Sequence, residues 1–270
     1  MGPWSQFFST WLARLKAPAI VYFSFALAIV SVLSWANLDF QTYWWRLVLF
    51  VLILALLVST LYLPAIPKRI ESLLKTEINP IDLSNLSPSP DKRIALVGLS
   101  EAGKSSFRNR LAGRIDDKQT NKWLAEIFLI PTNSGNKKLA LIDTVGGRKD
   151  QQLLIPTVEK SMMLFLDHNP SAHARSFLAE RKTNHLVLVK ELAKIIEDET
   201  VVCEEVILVA NKADLWSGNK KHLKDMGTLM NDVETILKAA NPKIRIRKFT
   251  EHSNFDSDSV IKLSKFCVDV

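Results

Sequence analysis

The residues best placed to do chemistry are Gly98-Leu99-Ser100-Glu101-Ala102-Gly103-Lys104-Ser105, which match G-x-x-x-x-G-K-S. A loop of this kind wraps phosphate: its backbone amides and the N-terminus of the following helix converge on one anionic group. Gly98 and Gly103 permit backbone angles and close approaches that a side chain would block. Lys104 would reach the β- and γ-phosphates of a nucleotide, and Ser105 would ligate Mg²⁺. Ser100, Glu101, Ala102 and Ser106 complete the candidate phosphate-binding set. The pattern works only between a strand and a helix. Arg93-Ile94-Ala95-Leu96-Val97 reads as the buried strand, and Ser106-Phe107-Arg108-Asn109-Arg110-Leu111 as the opening of the helix.

Two further motifs follow strand-like runs. Leu139-Ala140-Leu141-Ile142 ends in Asp143-Thr144-Val145-Gly146, and Val206-Ile207-Leu208-Val209-Ala210 ends in Asn211-Lys212-Ala213-Asp214. With D-x-x-G and N-K-x-D in this order, the chain resembles the P-loop GTPases of the TRAFAC class, the Ras, Arf and Era-like group. The resemblance covers roughly residues 91–270. It implies that Asp143 holds Mg²⁺ through a water, that the Gly146 amide senses the γ-phosphate, and that Asn211 braces the loop. The aliphatic stem of Lys212 would cover the base. Asp214 would read guanine, because a carboxylate accepts from both N1–H and the exocyclic amine, a donor pair that adenine lacks. Lys104, Thr120 and Gly146 are the expected catalytic positions, and Ser105, Thr120 and Asp143 the expected metal positions.

Thr120 is the expected second Mg²⁺ threonine, since it precedes the strand-like Trp123 to Ile130. Thr132 is its rival, but Pro131-Thr132-Asn133-Ser134-Gly135-Asn136 reads as a hairpin turn. The family's last base-contacting loop is a poor match to Glu251-His252-Ser253-Asn254, where Ser253 is the candidate. The chain departs from Ras and Arf-like members after the D-x-x-G glycine. They carry a glutamine that orients the attacking water, and here the position is Gly147. Arg148, Gln151 and Gln152 lie just beyond and could substitute. Slow intrinsic hydrolysis is expected. Glu101 stands where potassium-activated relatives carry asparagine, so that activation is not expected.

The N-terminal third differs in composition. Residues 19–36 and 47–66 are uncharged apolar runs joined by a short polar link. Each approaches the about 20 residues that cross a bilayer, which predicts a transmembrane hairpin over 18–66. Arg14 and Lys16 precede it, Lys68, Arg69 and Lys75 follow it, and the loop holds only Arg46. That asymmetry places both termini and the nucleotide site in the cytoplasm. A cleaved signal peptide ending near Ser34-Trp35-Ala36 is the alternative for the first run. Trp4, Phe7, Phe8, Trp11, Leu12 and Leu15 give residues 1–17 one apolar face, expected to lie at the lipid interface. Residues 67–92 read as a basic, Pro/Ser-rich linker.

The 270 residues thus leave one soluble domain of ordinary size, 93–270. Strands alternate with helical patterns there, which predicts an α/β fold: a mostly parallel sheet flanked by helices. The net charge of +7 suits anionic lipid, and no nucleic-acid motif stands out, so nucleic acid is not an expected partner. Cys203 and Cys267 show no metal spacing and fit reduced thiols. Arg108, Arg110 and Arg114 read as a solvated helix face or a surface for an acidic partner. The expected ligands are GTP and GDP with Mg²⁺, and the expected partners are the bilayer and an activator or effector protein. The expected role is a membrane-anchored switch; a docking module that holds GTP without useful turnover is the alternative, and an ATPase is a third. The layout is similar to that of signal recognition particle receptor β-subunits, except for two spans and Gly147.

Overall fold

The computed structural model describes residues 68–115, 123–144, 149–198 and 200–269. The interfacial segment, both expected spans, Thr120, Gly146, Gly147 and Arg148 lie outside the described residues. Among the described residues, no helix is long and apolar enough to cross a membrane.

Seven strands form one sheet: β1 (Glu77–Ile78), β2 (Lys92–Gly98), β3 (Leu124–Thr132), β4 (Gly135–Asp143), β5 (Ser161–Leu166), β6 (Glu205–Ala210) and β7 (Arg245–Phe249), in the order β1-β3-β4-β2-β5-β6-β7. Every residue of β5 and β6 is buried. A strand that is apolar on both faces needs cover on both, which is the situation of interior parallel strands. β4, β2, β5, β6 and β7 run parallel to one another, while β3 lies antiparallel to β4 and β1 antiparallel to β3.

The helices are α1 (Lys104–Leu111), α2 (Lys149–Leu153), α3 (Ile155–Val158), α4 (Ala179–Ile196), α5 (Ala213–Trp216), α6 (Lys220–Ala240) and α7 (Ser257–Val268). Alternation along the strands sorts the core into two layers. Val97, Leu164 and Leu208 join Leu188 and Leu192 of α4 and Leu229 and Val233 of α6. Leu96, Phe165 and Val209 join Phe107 of α1 and Val260 and Leu263 of α7. The α/β architecture read from the sequence is the one observed.

Parallel register sends the carboxyl ends of β2, β4, β5 and β6 to one edge, where Leu96 pairs with Asp143, Gly98 with Phe165 and Leu166 with Ala210. The loops that follow these ends therefore meet, which is where open α/β sheets bind ligands.

One expectation needs correction, while the reading of residues 131–136 as a hairpin turn holds. Residues 67–92 are not a free linker. A compact unit begins at Arg69, and Ile70, Ile78, Leu83 and Leu86 are core residues. Pro80 opens a 3₁₀ helix, and the Asn79 side chain accepts from the Ile81 amide at 3.1 Å. The hairpin removes Thr132 as a metal candidate. Leu124 pairs with Asp143 at the site edge, whereas Thr132 pairs with Gly135 at the hairpin, and its hydroxyl donates to the Gly135 carbonyl at 2.7 Å. At about 3.4 Å per residue, the strand carries it roughly 27 Å from that edge.

Candidate functional site

The loop between β2 and α1 is shaped from outside. Gly98 has φ +146°, Glu101 +64° and Gly103 +95°. Three of its carbonyls are held by side chains from elsewhere in the chain. Arg181 Nη2 donates to the Ser100 carbonyl at 2.7 Å, Asn211 Nδ2 to Ala102 at 2.8 Å, and Asn254 Nδ2 to Gly103 at 2.9 Å. In a trans peptide the N–H points opposite to the C=O. Anchoring these carbonyls outward therefore turns the amides of Glu101, Gly103 and Lys104 the other way. Gly103, the N-cap of α1, has no side chain with which to cap it, and a helix N-terminus favours an anion. This is a preorganised anion nest.

Lys104 folds back over the loop. Its ammonium donates to the Gly98 and Leu99 carbonyls, each at 2.8 Å. Burial pushes it down to about 8, with Asp143 and Asp167 opposing the fall. Gln152 of α2 accepts from the Gly98 amide at 3.0 Å, so this candidate for the missing glutamine is committed to the loop. Ala102 is fully buried, while Ser105 and Ser106 are half-buried in the first turn of α1.

Gly103 tolerates no side chain. A Cβ there would lie 2.2 Å from Asn211 Nδ2 and 2.6 Å from Asn254 Nδ2, at a φ that disfavours L residues. Gly103→Ala should displace both braces, lowering affinity for the phosphate ligand about a hundredfold and stability by about 2 kcal/mol. Equilibrium binding and urea unfolding measure the two effects.

The Asn211–Asp214 motif is built by two loops. Asp214 is exposed at the start of α5, and Ser253 Oγ donates to its Oδ1 at 2.6 Å. The Ala213 amide donates to the His252 carbonyl, and the His252 amide to the Ala210 carbonyl, both at 2.9 Å. Because Asn254 gives its amide nitrogen to Gly103, its oxygen faces His252 Nε2 at 2.8 Å, and that ring nitrogen must carry the proton. Nδ1 then accepts from Ser259 Oγ at 2.9 Å. Burial pushes the His252 imidazole down to about 4, so it stays neutral at physiological pH. The loop around Ser253 thus supports Asp214 and, through Asn254, the phosphate loop. Asn254 was missed in the sequence, although it adjoins the chosen Ser253.

Lys212 sits at φ +62° in the left-handed region. Its ammonium donates to Asp167 Oδ2 at 2.9 Å and to the Asn169, Pro170 and Ser171 carbonyls at 2.6, 2.9 and 3.3 Å. Asp167 also accepts from Arg181 Nε at 2.7 Å and Nη2 at 3.1 Å, and lies 2.8 Å from His185 Nε2. Burial alone would raise the Asp167 carboxyl, but His185, Arg181 and Lys212 hold it well below the usual carboxylate range. His168 follows β5, with Nε2 at 2.8 Å from the Ala174 carbonyl, and burial lowers its imidazole pKa. That is a structural contact.

Asp143 is fully buried at the end of β4, with Arg108 Nη1 3.4 Å from its Oδ2. Arg108 is therefore not on a solvated face. It also approaches Glu126 at 3.7 Å and Glu77 at 3.4 Å, and Arg114 pairs with Glu126 at 2.9 Å. Arg110 instead lies over the Phe255 ring at 5.6 Å.

A hydroxyl in the first turn of α1 and a carboxylate on the adjacent strand are hard oxygen donors, which fit Mg²⁺. Among the described residues no group of three or more His, Cys, Asp or Glu could hold a metal by itself. Phosphate oxygens would have to complete such a shell, as is usual for Mg²⁺.

The sequence profile of the 50S ribosome-binding GTPase family matches residues 93–214. No curated protein matches the sequence as a relative. Among solved structures, the Arl6 BBS3 small GTPase from Trypanosoma brucei with bound nucleotide analogue GppNp is similar at 12% identity and a TM-score of 0.47, covering 65% of this chain and 95% of that one. The mammalian SRP receptor is similar at 16% identity and a TM-score of 0.45, covering 65% of this chain and 99% of that one.

Proposed function

From the match of residues 93–214 to the 50S ribosome-binding GTPase family, we propose that the chain is a membrane-anchored, guanine-nucleotide-dependent switch that hydrolyses GTP slowly. The observation that carries this reading is the pairing of an outward-braced phosphate loop with an exposed Asp214 carboxylate held by Ser253. One element binds the phosphate tail and the other selects the base, and Asn254 ties them together.

Lys104 releases its two loop carbonyls and takes up the β- and γ-phosphates. The Glu101, Gly103 and Lys104 amides bind the β-phosphate oxygens. Bound Mg²⁺ would neutralise phosphate charge, held by Ser105, by Asp143 through water, and by Thr120. The Gly146 amide would report the γ-phosphate, the group that distinguishes GTP from GDP. The two uncharged runs at 19–36 and 47–66 support a two-span anchor, and the flanking charges support a cytoplasmic site.

Gly147 has no side chain with which to orient water. Single-turnover hydrolysis by the full-length chain should therefore be on the order of 10⁻⁴ s⁻¹ or slower. Addition of membrane extract should accelerate it. Fast turnover by the chain alone contradicts the slow-switch reading. Gly147 also favours a second reading, a GTP-loaded docking module. A rate that stays negligible with extract selects it.

A further inference from the structure

Lys212 has three ammonium protons and four oxygen acceptors around it: Asp167 Oδ2 and the Asn169, Pro170 and Ser171 carbonyls. Its donors are saturated by the loop after β5, leaving none for the phosphate loop. The support reaching that loop from this side comes from another cation. Arg181 lies on the buried face of α4, and its guanidinium is fixed by two bonds to the fully buried Asp167 carboxylate. The same Nη2 donates to the Ser100 carbonyl at 2.7 Å. A planar fork locked on one side by a carboxylate leaves the second Nη2 proton with a fixed direction.

We propose that Arg181 is a positioning residue for phosphate recognition: clamped by Asp167, it sets the Ser100–Glu101 peptide so that the Glu101 amide faces the ligand's phosphates. Glu101 has φ +64°, a conformation that costs a non-glycine residue energy and needs external support. Asp167 supplies it while also holding Lys212 of the base-reading motif, so a single carboxylate fixes the loops at both ends of the nucleotide. The inference rests on the guanine-nucleotide reading above.

The test uses the full-length chain with Mg²⁺ and compares GDP with IDP, which lacks the exocyclic amine that Asp214 reads. Arg181→Met should weaken GDP and IDP alike by about tenfold, the loss expected for one charge-assisted hydrogen bond, and leave the GDP-to-IDP ratio within about twofold. A purely structural role would disturb the Asp167–Lys212 side as well and change the ratio. Arg181→Lys keeps a charge beside Asp167 but lacks the fork, so it should recover part of the loss; it carries the test if the methionine variant does not fold. In the unaltered chain, GDP should slow hydrogen exchange at the Glu101 amide about tenfold. Wild-type affinity in Arg181→Met, a changed ratio, or no added protection at Glu101 each overturns the proposal. Failure of the unaltered chain to bind GDP would instead remove the parent reading, and this one with it.

Discussion

Lys104→Ala should lower the affinity for both GTP and GDP about a thousandfold, measured by equilibrium binding to the full-length chain. The ammonium is buried, its pKa depressed by that burial to about 8, and its hydrogen-bond partners among the described residues are the two loop carbonyls of Gly98 and Leu99. A cation held at such cost in a protein interior calls for a stronger anionic partner than a pair of carbonyls. Two charge-assisted hydrogen bonds to phosphate, each worth about 1.5–3 kcal/mol, give the expected loss. The fold should survive, because alanine removes a desolvated charge and frees only two carbonyl groups. Unchanged GTP binding by a folded Lys104→Ala chain would show that the loop does not hold the phosphates.

Asp214→Asn should weaken guanine binding about a hundredfold and favour xanthine. The carboxylate is acceptor-only and exposed, with Ser253 Oγ on one of its oxygens. Guanine offers two donors to it. The asparagine amide offers one acceptor and one donor head, so one guanine contact becomes a clash of donors. Xanthine carries a carbonyl where guanine carries the amine, and that oxygen accepts from the new amide. Competition of GTP and XTP for the variant measures the switch. A variant that keeps full guanine preference would remove Asp214 from base recognition.

The sequence displayed those parts of the site whose spacing is local. Gly98 to Ser105, Asp143 and Asn211 to Asp214 all end strand-like runs, and the parallel register then brings them to one edge. The braces were hidden because they act across long separations: Arg181 lies 81 residues from Ser100, and Asn254 lies 151 residues from Gly103. A signal for Arg181 did exist. It shares the core face of α4 with His185, Leu188 and Leu192, and a charged residue on such a face needs a buried counterion. Asp167, at the end of the apolar β5, is that counterion.

Arg108 was misread for the complementary reason. Its helical spacing suggested a solvated face, but Glu126 interrupts the apolar strand β3 and is fully buried. A carboxylate there requires a cation, and Arg108 and Arg114 supply it. The core strands that precede the motifs were legible from their apolar runs, and the alternation of strands with helical patterns foretold helices flanking the sheet. The stretch 70–87 was not legible, since its buried residues follow neither helical nor strand period.

Everything proposed for function depends on one property, that the chain grips a guanosine phosphate. The direct measurement is equilibrium binding of GDP and ADP to the full-length chain with Mg²⁺ present. Saturable binding of one GDP per chain, at least about a hundredfold tighter than ADP, is the expected result. No binding of any guanosine phosphate, or equal affinity for the two purines, would contradict it.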